Sequence, residues 1–284
     1  MQRILTSLLL SAISFTLLSA QELKTPAPSP FGTVSQIVGL TEVTISYSRP
    51  GVKGRQVFGD LVPYGELWRT GANKSTTIKF SDDVSIEGKP VAAGEYALFT
   101  IPDQNEWTII ISPDIGPGSS KYKQENDIVR FTVQPAALRN PVERFTIEIA
   151  DMTNNNARIV LSWANTRVSF AMTVDTDKKV MGQIDAVMKD SNLNDANIFY
   201  RASDYYFTND KDLEQALSWA DKAVELKPDA FWMSRLKSRI QAKMGDYKSA
   251  IQSAELSMKA AEKAGNDQYV RFNQEAIAEW EKEL

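Results

Sequence analysis

Between Tyr47 and Lys79 the chain carries Arg49, Lys53, Arg55, Arg69, Lys74 and Lys79 against only Asp60 and Glu66. An Arg fork matches the two oxygens of a carboxylate or phosphate, and Tyr47, Tyr64 and Trp68 can offer flat faces to a sugar or peptide. An anionic or glycan ligand would therefore fit a lining of Tyr47, Arg49, Arg55, Tyr64, Trp68, Arg69 and Asn73. The same residues also read as scaffold. Arg49-Pro50-Gly51 and Lys53-Gly54-Arg55 have turn chemistry, Trp68 has the size of a core residue, and loop charges are usually solvated.

Other constellations carry less. Thr70-Gly71-Ala72-Asn73-Lys74-Ser75-Thr76 has the Lys-Ser pair of a phosphate loop but lacks the glycine before the lysine and a helix after it. It reads instead as a turn, with Asn73 tolerant of left-handed backbone. Asp82-Asp83, Asp103 with Glu106, and Glu125 with Asp127 are carboxylate pairs of the kind that glycoside hydrolysis needs, but each falls at an expected turn. Ser119-Ser120-Lys121 offers a Ser/Lys adjacency without any oxyanion-hole context.

The sequence has no cysteine and no histidine. Disulfides, thiolate nucleophiles, imidazole bases and the usual nitrogen and sulfur zinc sites are excluded with them, and no metal or cofactor is expected. Acid–base chemistry would fall to Asp, Glu, Tyr, Lys or Arg. A net charge of -4 offers no global field for nucleic acid.

Arg3 followed by the apolar or small run Ile4 to Leu18 and by Leu18-Ser19-Ala20 has the order of a secretory signal cleaved after Ala20. An uncleaved anchor is the other reading, but a span needs roughly 20 apolar residues and this run is shorter and contains Ser and Thr. A lipid-anchoring cysteine is missing. The expected compartment is periplasmic or secreted, with no membrane span once the signal is removed.

Such residues need elements to hold them. After a Pro-rich linker at 21–30, the period from 31 to 173 is two: Val43, Ile45 and Tyr47, then Trp107, Ile109 and Ile111, then Val129, Phe131 and Val133, then Phe145, Ile147 and Ile149. Ile159, Leu161 and Trp163, then Val168, Phe170 and Met172, continue it, with Asn165-Thr166 reading as a turn between them. Short strands without helices predict an all-β sandwich, antiparallel and jelly-roll-like or related. A connecting helix is expected over 174–195, carrying Val180, Ile184, Val187 and Met188 on one face.

Over 196–284 the period is helical. The segment starting at Asp212-Leu213-Glu214 is echoed by Asp246-Tyr247-Lys248 at an offset of about 34 residues, the tetratricopeptide period. Ala216, Ala223 and Pro228 fit the small, small and proline positions of a first unit, whereas Ser257 and Glu262 replace the later small residue and the proline in the second. Units are expected to begin near Asn197 and Phe231, with a final helix bearing Val270, Ile277 and Trp280 closing the stack. A non-repeat bundle is the alternative. Tyr200, Tyr205, Tyr206, Phe207, Trp219 and Trp232 either line a concave peptide groove or pack between helices.

Three segments carry a resemblance: Tyr47 to Arg55 (Tyr-Ser-Arg-Pro-Gly-Val-Lys-Gly-Arg), Tyr64 to Asn73 (Tyr-Gly-Glu-Leu-Trp-Arg-Thr-Gly-Ala-Asn), and Ala93 to Pro102 (Ala-Gly-Glu-Tyr-Ala-Leu-Phe-Thr-Ile-Pro). The stretch from about Pro30 to Met172 resembles the bacterial domain-of-unknown-function family numbered 2911. That resemblance implies an exported protein, often with a helical tail, and no settled activity. Where the family's Trp-containing strand often ends in Asn followed by Trp-Gly, this chain has Ser112-Pro113-Asp114. The expected function is a non-enzymatic envelope module that contacts a protein through its helices, or an anionic or glycan ligand at its sandwich. The alternatives are a hydrolase or lyase on glycan or peptide, and a purely structural envelope protein.

Overall fold

The structure is a computed structural model that describes residues 25–284. The signal expected at 1–20 lies outside the described residues. Two compact units divide the chain after Thr176.

The first unit is a two-sheet antiparallel sandwich. Strands β1 (Phe31–Val38), β2 (Thr41–Ser48), β3 (Thr76–Phe80), β6 (Gly94–Ile101), β7 (Trp107–Ser112) and β8 (Val129–Val133) form a six-stranded sheet in the order β1-β2-β3-β6-β7-β8. Strands β4 (Val84–Ile86), β5 (Lys89–Val91), β9 (Ala136–Ala150) and β10 (Asn156–Val174) form a four-stranded sheet in the order β5-β4-β10-β9. Alternation sets the layers: Val43, Ile45 and Tyr47 of β2 point inward while Glu42, Thr44 and Ser46 are more exposed. They meet Phe145, Ile147, Ile159, Leu161 and Phe170 of the other sheet in one core. Each fully buried Ile or Leu there is stabilised by about 1.5–3 kcal/mol relative to exposure.

Strand β7 is buried on both faces because Ile110, with Ala97 and Phe99, packs outward against Leu67 and Tyr122. Loops therefore cover part of the six-stranded sheet's outer side. Near this cover the buried Thr70 sits at φ 54°, a conformation costly for a β-branched residue. The Thr70 hydroxyl donates to Thr100 Oγ1 at 3.2 Å, and its carbonyl accepts from Thr76.

The turn expected at Asn165-Thr166 is not a chain reversal. Strand β10 runs through it, with register shifts against β9 on both sides of Ala164, whose φ is 50°. The physical cause is a change of parity: the inward residues are 159, 161 and 163 before this point and 168, 170 and 172 after it. A bulge shifts which face a residue meets without breaking the strand.

The second unit contains six α-helices: α1 (Thr176–Val187), α2 (Ala196–Thr208), α3 (Leu213–Leu226), α4 (Phe231–Lys243), α5 (Tyr247–Lys263) and α6 (Asp267–Trp280). Helix α1, which the domain division crosses at its first residue, lies inside the stretch expected to connect the units. Asp195, Asp212, Asp246 and Asn266 cap α2, α3, α5 and α6 by accepting first-turn backbone N–H bonds. Helices pack as successive hairpins, α2 with α3 and α4 with α5, followed by α6. Ala216, Ala220, Ala223, Ala250 and Ala254 are buried at the crossings, where small side chains let helices approach closely. The helices are repeat-like in order and capping.

Candidate functional site

The seven sandwich residues fall in different places. Trp68 is 8% exposed and sits in the core, stacked on Trp163 at 5.7 Å and 18° and edge-on to Phe58 and Phe145. Its indole N–H donates to Gly71 O at 3.0 Å, so both its faces and its polar tip are used internally. Tyr47 is buried as well, its hydroxyl accepting from Ile147 N at 2.9 Å and donating to Ile147 O at 3.3 Å. That pair of bonds ties β2 of one sheet to β9 of the other.

Arg49 performs the same inter-sheet task near the surface. Its Nε donates to Phe145 O at 3.1 Å and its Nη2 to Thr146 Oγ1 at 2.8 Å. Arg55 donates from Nη2 to Gly51 O and from Nε to Val52 O, closing its own turn. Asn73 has φ 61° and donates from Nδ2 to Ser48 Oγ at 3.2 Å. Arg69 differs: its Nε is buried with no hydrogen-bond partner among the described residues, and its Nη1 lies over Gly118, 3.5 Å from where a Cβ would stand.

Tyr64 and Arg55 are the two of the seven that share a depression. A groove of about 510 Å³ runs between the 52–64 loop and the β10 bulge, with Gln56, Glu143, Asn165 and Thr166 also on its walls. The Tyr64 ring lies on Gly59, where a Cβ would come within 2.7 Å of Cε2, so only glycine permits this placement. The seven thus do not form one lining.

The carboxylates take up structural hydrogen bonds. Asp83 accepts from Ala93 N, and Asp103 from Gln104 N. Asp127 Oδ2 accepts from Arg130 Nε at 2.8 Å and Tyr122 OH at 3.1 Å, while its buried Oδ1 has no partner among the described residues. Burial pushes the Tyr122 phenol up, against the opposing hydrogen bond from Arg130. Ser120 donates its hydroxyl to Pro117 O at 2.9 Å.

The helical unit brings together residues from three helices that the sequence separates widely. Tyr200 and Asp204 of α2, Trp232, Arg235 and Arg239 of α4, and Tyr269 and Phe272 of α6 line a groove of about 270 Å³. Helical periodicity explains the α4 set, since 235 and 239 lie one turn apart on one face. Arg235 stands 5.5 Å from the Phe272 centroid and Arg239 4.7 Å from that of Phe207. Arg235 Nη1 also donates to Asn273 Oδ1 at 3.1 Å. Arg239 is exposed and has no hydrogen bond or ion pair among the described residues.

Titration in this groove departs from the ordinary. Burial and then the neighbouring Arg239 hold Arg235 below its usual value. Burial raises the Asp204 carboxyl, with Arg239 pulling the other way, and burial likewise raises Tyr200. Next to this groove, Phe207, Arg239, Lys243, Glu279 and Trp280 wall a second depression, where Lys243 is paired with Asp210.

Of the six helical aromatics singled out from sequence, Tyr200, Phe207 and Trp232 line these depressions. Tyr206 and Trp219 pack edge-on against each other at 4.7 Å, and Tyr205 donates to Asp177. Arg235, Arg239, Tyr269 and Phe272 were missed by the sequence reading. The spacing of two arginines by four within a helical stretch was the available signal. Among the described residues, no helix is long and apolar enough to cross a membrane.

A family model described as a protein of unknown function (DUF2911) matches residues 29–172, half of the chain and nearly all of the sandwich. No curated protein matches the chain significantly. The protein therefore belongs to the DUF2911 family of proteins of unknown function.

Proposed function

We propose that the protein is an exported, non-enzymatic binding module whose tetratricopeptide-like helical unit contacts another protein. One observation carries this reading: a groove lined by aromatic and cationic side chains of α2, α4 and α6 is open in the helical unit, with Arg239 stacked on Phe207 and making no hydrogen bond or ion pair among the described residues. In the sandwich, by contrast, Tyr47, Arg49, Arg55 and Trp68 are occupied by internal bonds. Export rests on Arg3, the apolar run to Leu18 and the Leu18-Ser19-Ala20 site.

A thermal-shift screen of the protein against mixed-sequence peptides and neutral and charged glycans tests it, because a ligand of the folded state raises the midpoint. Stabilisation by peptides, lost in Trp232→Ala, supports the reading. Stabilisation by glycans alone that persists in Trp232→Ala and disappears in Tyr64→Ala sinks it.

The second outcome would favour a glycan site in the sandwich. The observation behind it is the Tyr64 ring held against Gly59 at the mouth of a groove with Gln56, Glu143 and Asn165 on its walls. An aromatic face with amide and carboxylate neighbours suits a sugar ring.

A further inference from the structure

We infer that the helical groove takes an extended acidic peptide segment, with two Asp or Glu side chains at alternate positions engaging Arg235 and Arg239. The inference rests on the proposed role of the helical unit as a protein-contact surface and adds the chemistry of the partner.

Three observations carry it. Arg235 and Arg239 are four residues apart on α4, a rise of about 6 Å. Side chains on one side of an extended chain repeat every two residues, about 6.6–6.8 Å. The spacing of two carboxylates on an alternating segment is therefore comparable to the spacing of the two arginines along α4. A single terminal carboxylate would occupy one of them.

Second, the arginines are pre-positioned. The Asn273 amide, fully buried in α6, takes one N–H of Arg235, and the Phe207 face supports Arg239. Arg held in place loses less entropy on forming a forked bond to carboxylate. Third, the two cations stand close enough to disfavour one another, and Asp204 is the groove's acidic residue. An arriving pair of carboxylates relieves that repulsion. Trp232, Tyr269 and Phe272 add apolar surface to the same groove.

The test uses three pentapeptides: Gly-Asp-Phe-Asp-Gly with both ends blocked, Gly-Asn-Phe-Asn-Gly with both ends blocked, and the second with a free C-terminal carboxylate. Affinities for the full protein are measured by isothermal titration calorimetry. The blocked acidic peptide binds about ten-fold or more tighter than the blocked amide peptide, as one charge-assisted bond predicts. Arg239→Gln removes about ten-fold of that affinity, and Lys237→Gln, whose partner is Asp221 outside the groove, leaves it unchanged. Arg239 is exposed, so its variant keeps the fold even where Arg235→Gln, which strips Asn273 of a donor, does not.

Equal binding of the acidic and amide peptides overturns the inference. So does tighter binding of the free-carboxylate peptide, or no binding by any of the three. If the amide peptide binds and Trp232→Ala abolishes that binding, the protein-contact reading stands and only its acidic chemistry falls. If no peptide binds here or in the thermal-shift screen, both fall.

Discussion

Asn273, fully buried in α6, accepts a hydrogen bond from Arg235 of α4 at 3.1 Å. The same amide donates to Ser257 Oγ of α5 at 2.9 Å and to Tyr269 O at 2.9 Å, and Ser257 in turn donates to Phe231 O at 2.6 Å. A buried polar network with every member paired holds three helices in one arrangement and aims an arginine at the groove.

Asn273→Ala leaves the Ser257 and Arg235 groups short of partners and is expected to cost about 1–3 kcal/mol. Ser257→Ala, which a small-residue position would tolerate on pattern alone, is expected to cost about 1 kcal/mol. Urea denaturation of both single variants and the double variant checks this. The double variant is expected to be less destabilised than the sum, because the two residues share a bond.

In the sandwich, Trp68→Ala is expected to destabilise by about 3–5 kcal/mol, since it opens a cavity beneath Phe58, Phe145 and Trp163. Arg49→Ala, which frees Phe145 O and Thr146 on β9, is expected to cost about 1–3 kcal/mol. Calorimetric unfolding of the two variants gives the order. A stable Trp68→Ala protein would mean that the indole is not part of the core.

Ala164 carries the β10 bulge at φ 50°. Left-handed backbone costs a residue with a Cβ roughly 1–2 kcal/mol, so Ala164→Gly is expected to raise the melting temperature and Ala164→Val to lower it. If glycine lowers the melting temperature instead, the bulge is not where strain resides.

The raised carboxyl of Asp204 has a definite sign. Burial, opposed by Arg239, makes the folded chain bind this proton more tightly than the unfolded chain. Its contribution is present below the unfolded value and is lost as pH rises through the raised folded value. Asp204→Asn is therefore expected to flatten the fall in stability on leaving mildly acidic pH. Asp177 has the opposite sign: hydrogen bonds from Lys211 and Tyr205 hold it low, so its contribution is lost as pH falls through that lowered value. Unfolding curves across pH for Asp204→Asn and Asp177→Asn separate the two slopes.

The period-two runs of β2, β7 and β8 and the echo of Asp212 at Asp246 made the order of a β-sandwich followed by repeat-like helices legible, because burial on one face writes itself directly into residue spacing. The bulge at Ala164 was legible too, as the parity change between Trp163 and Val168, but the polar Asn165-Thr166 pair suggests a turn more loudly. The candidate site was harder. Local charge excess marked 47–79, whose arginines are largely consumed by carbonyls on β9 and in their own turn. Those carbonyls are backbone groups with no trace in residue type. The groove of α2, α4 and α6 joins residues from three separate segments, and nothing local to Arg235 announces Tyr269 or Asp204 as neighbours.

The absence of cysteine from the whole sequence permits the most direct measurement. Phe272→Cys places a single thiol at the groove for an environment-sensitive fluorophore, and Ser218→Cys places one outside it, beside Trp219 and Lys222. The blocked acidic pentapeptide is then titrated into each. A saturable emission change at position 272, shifted to about ten-fold weaker affinity by Arg239→Gln and absent at position 218, is the predicted result. No change at 272, or the same change at both positions, would contradict the assignment of the helical groove as the contact surface.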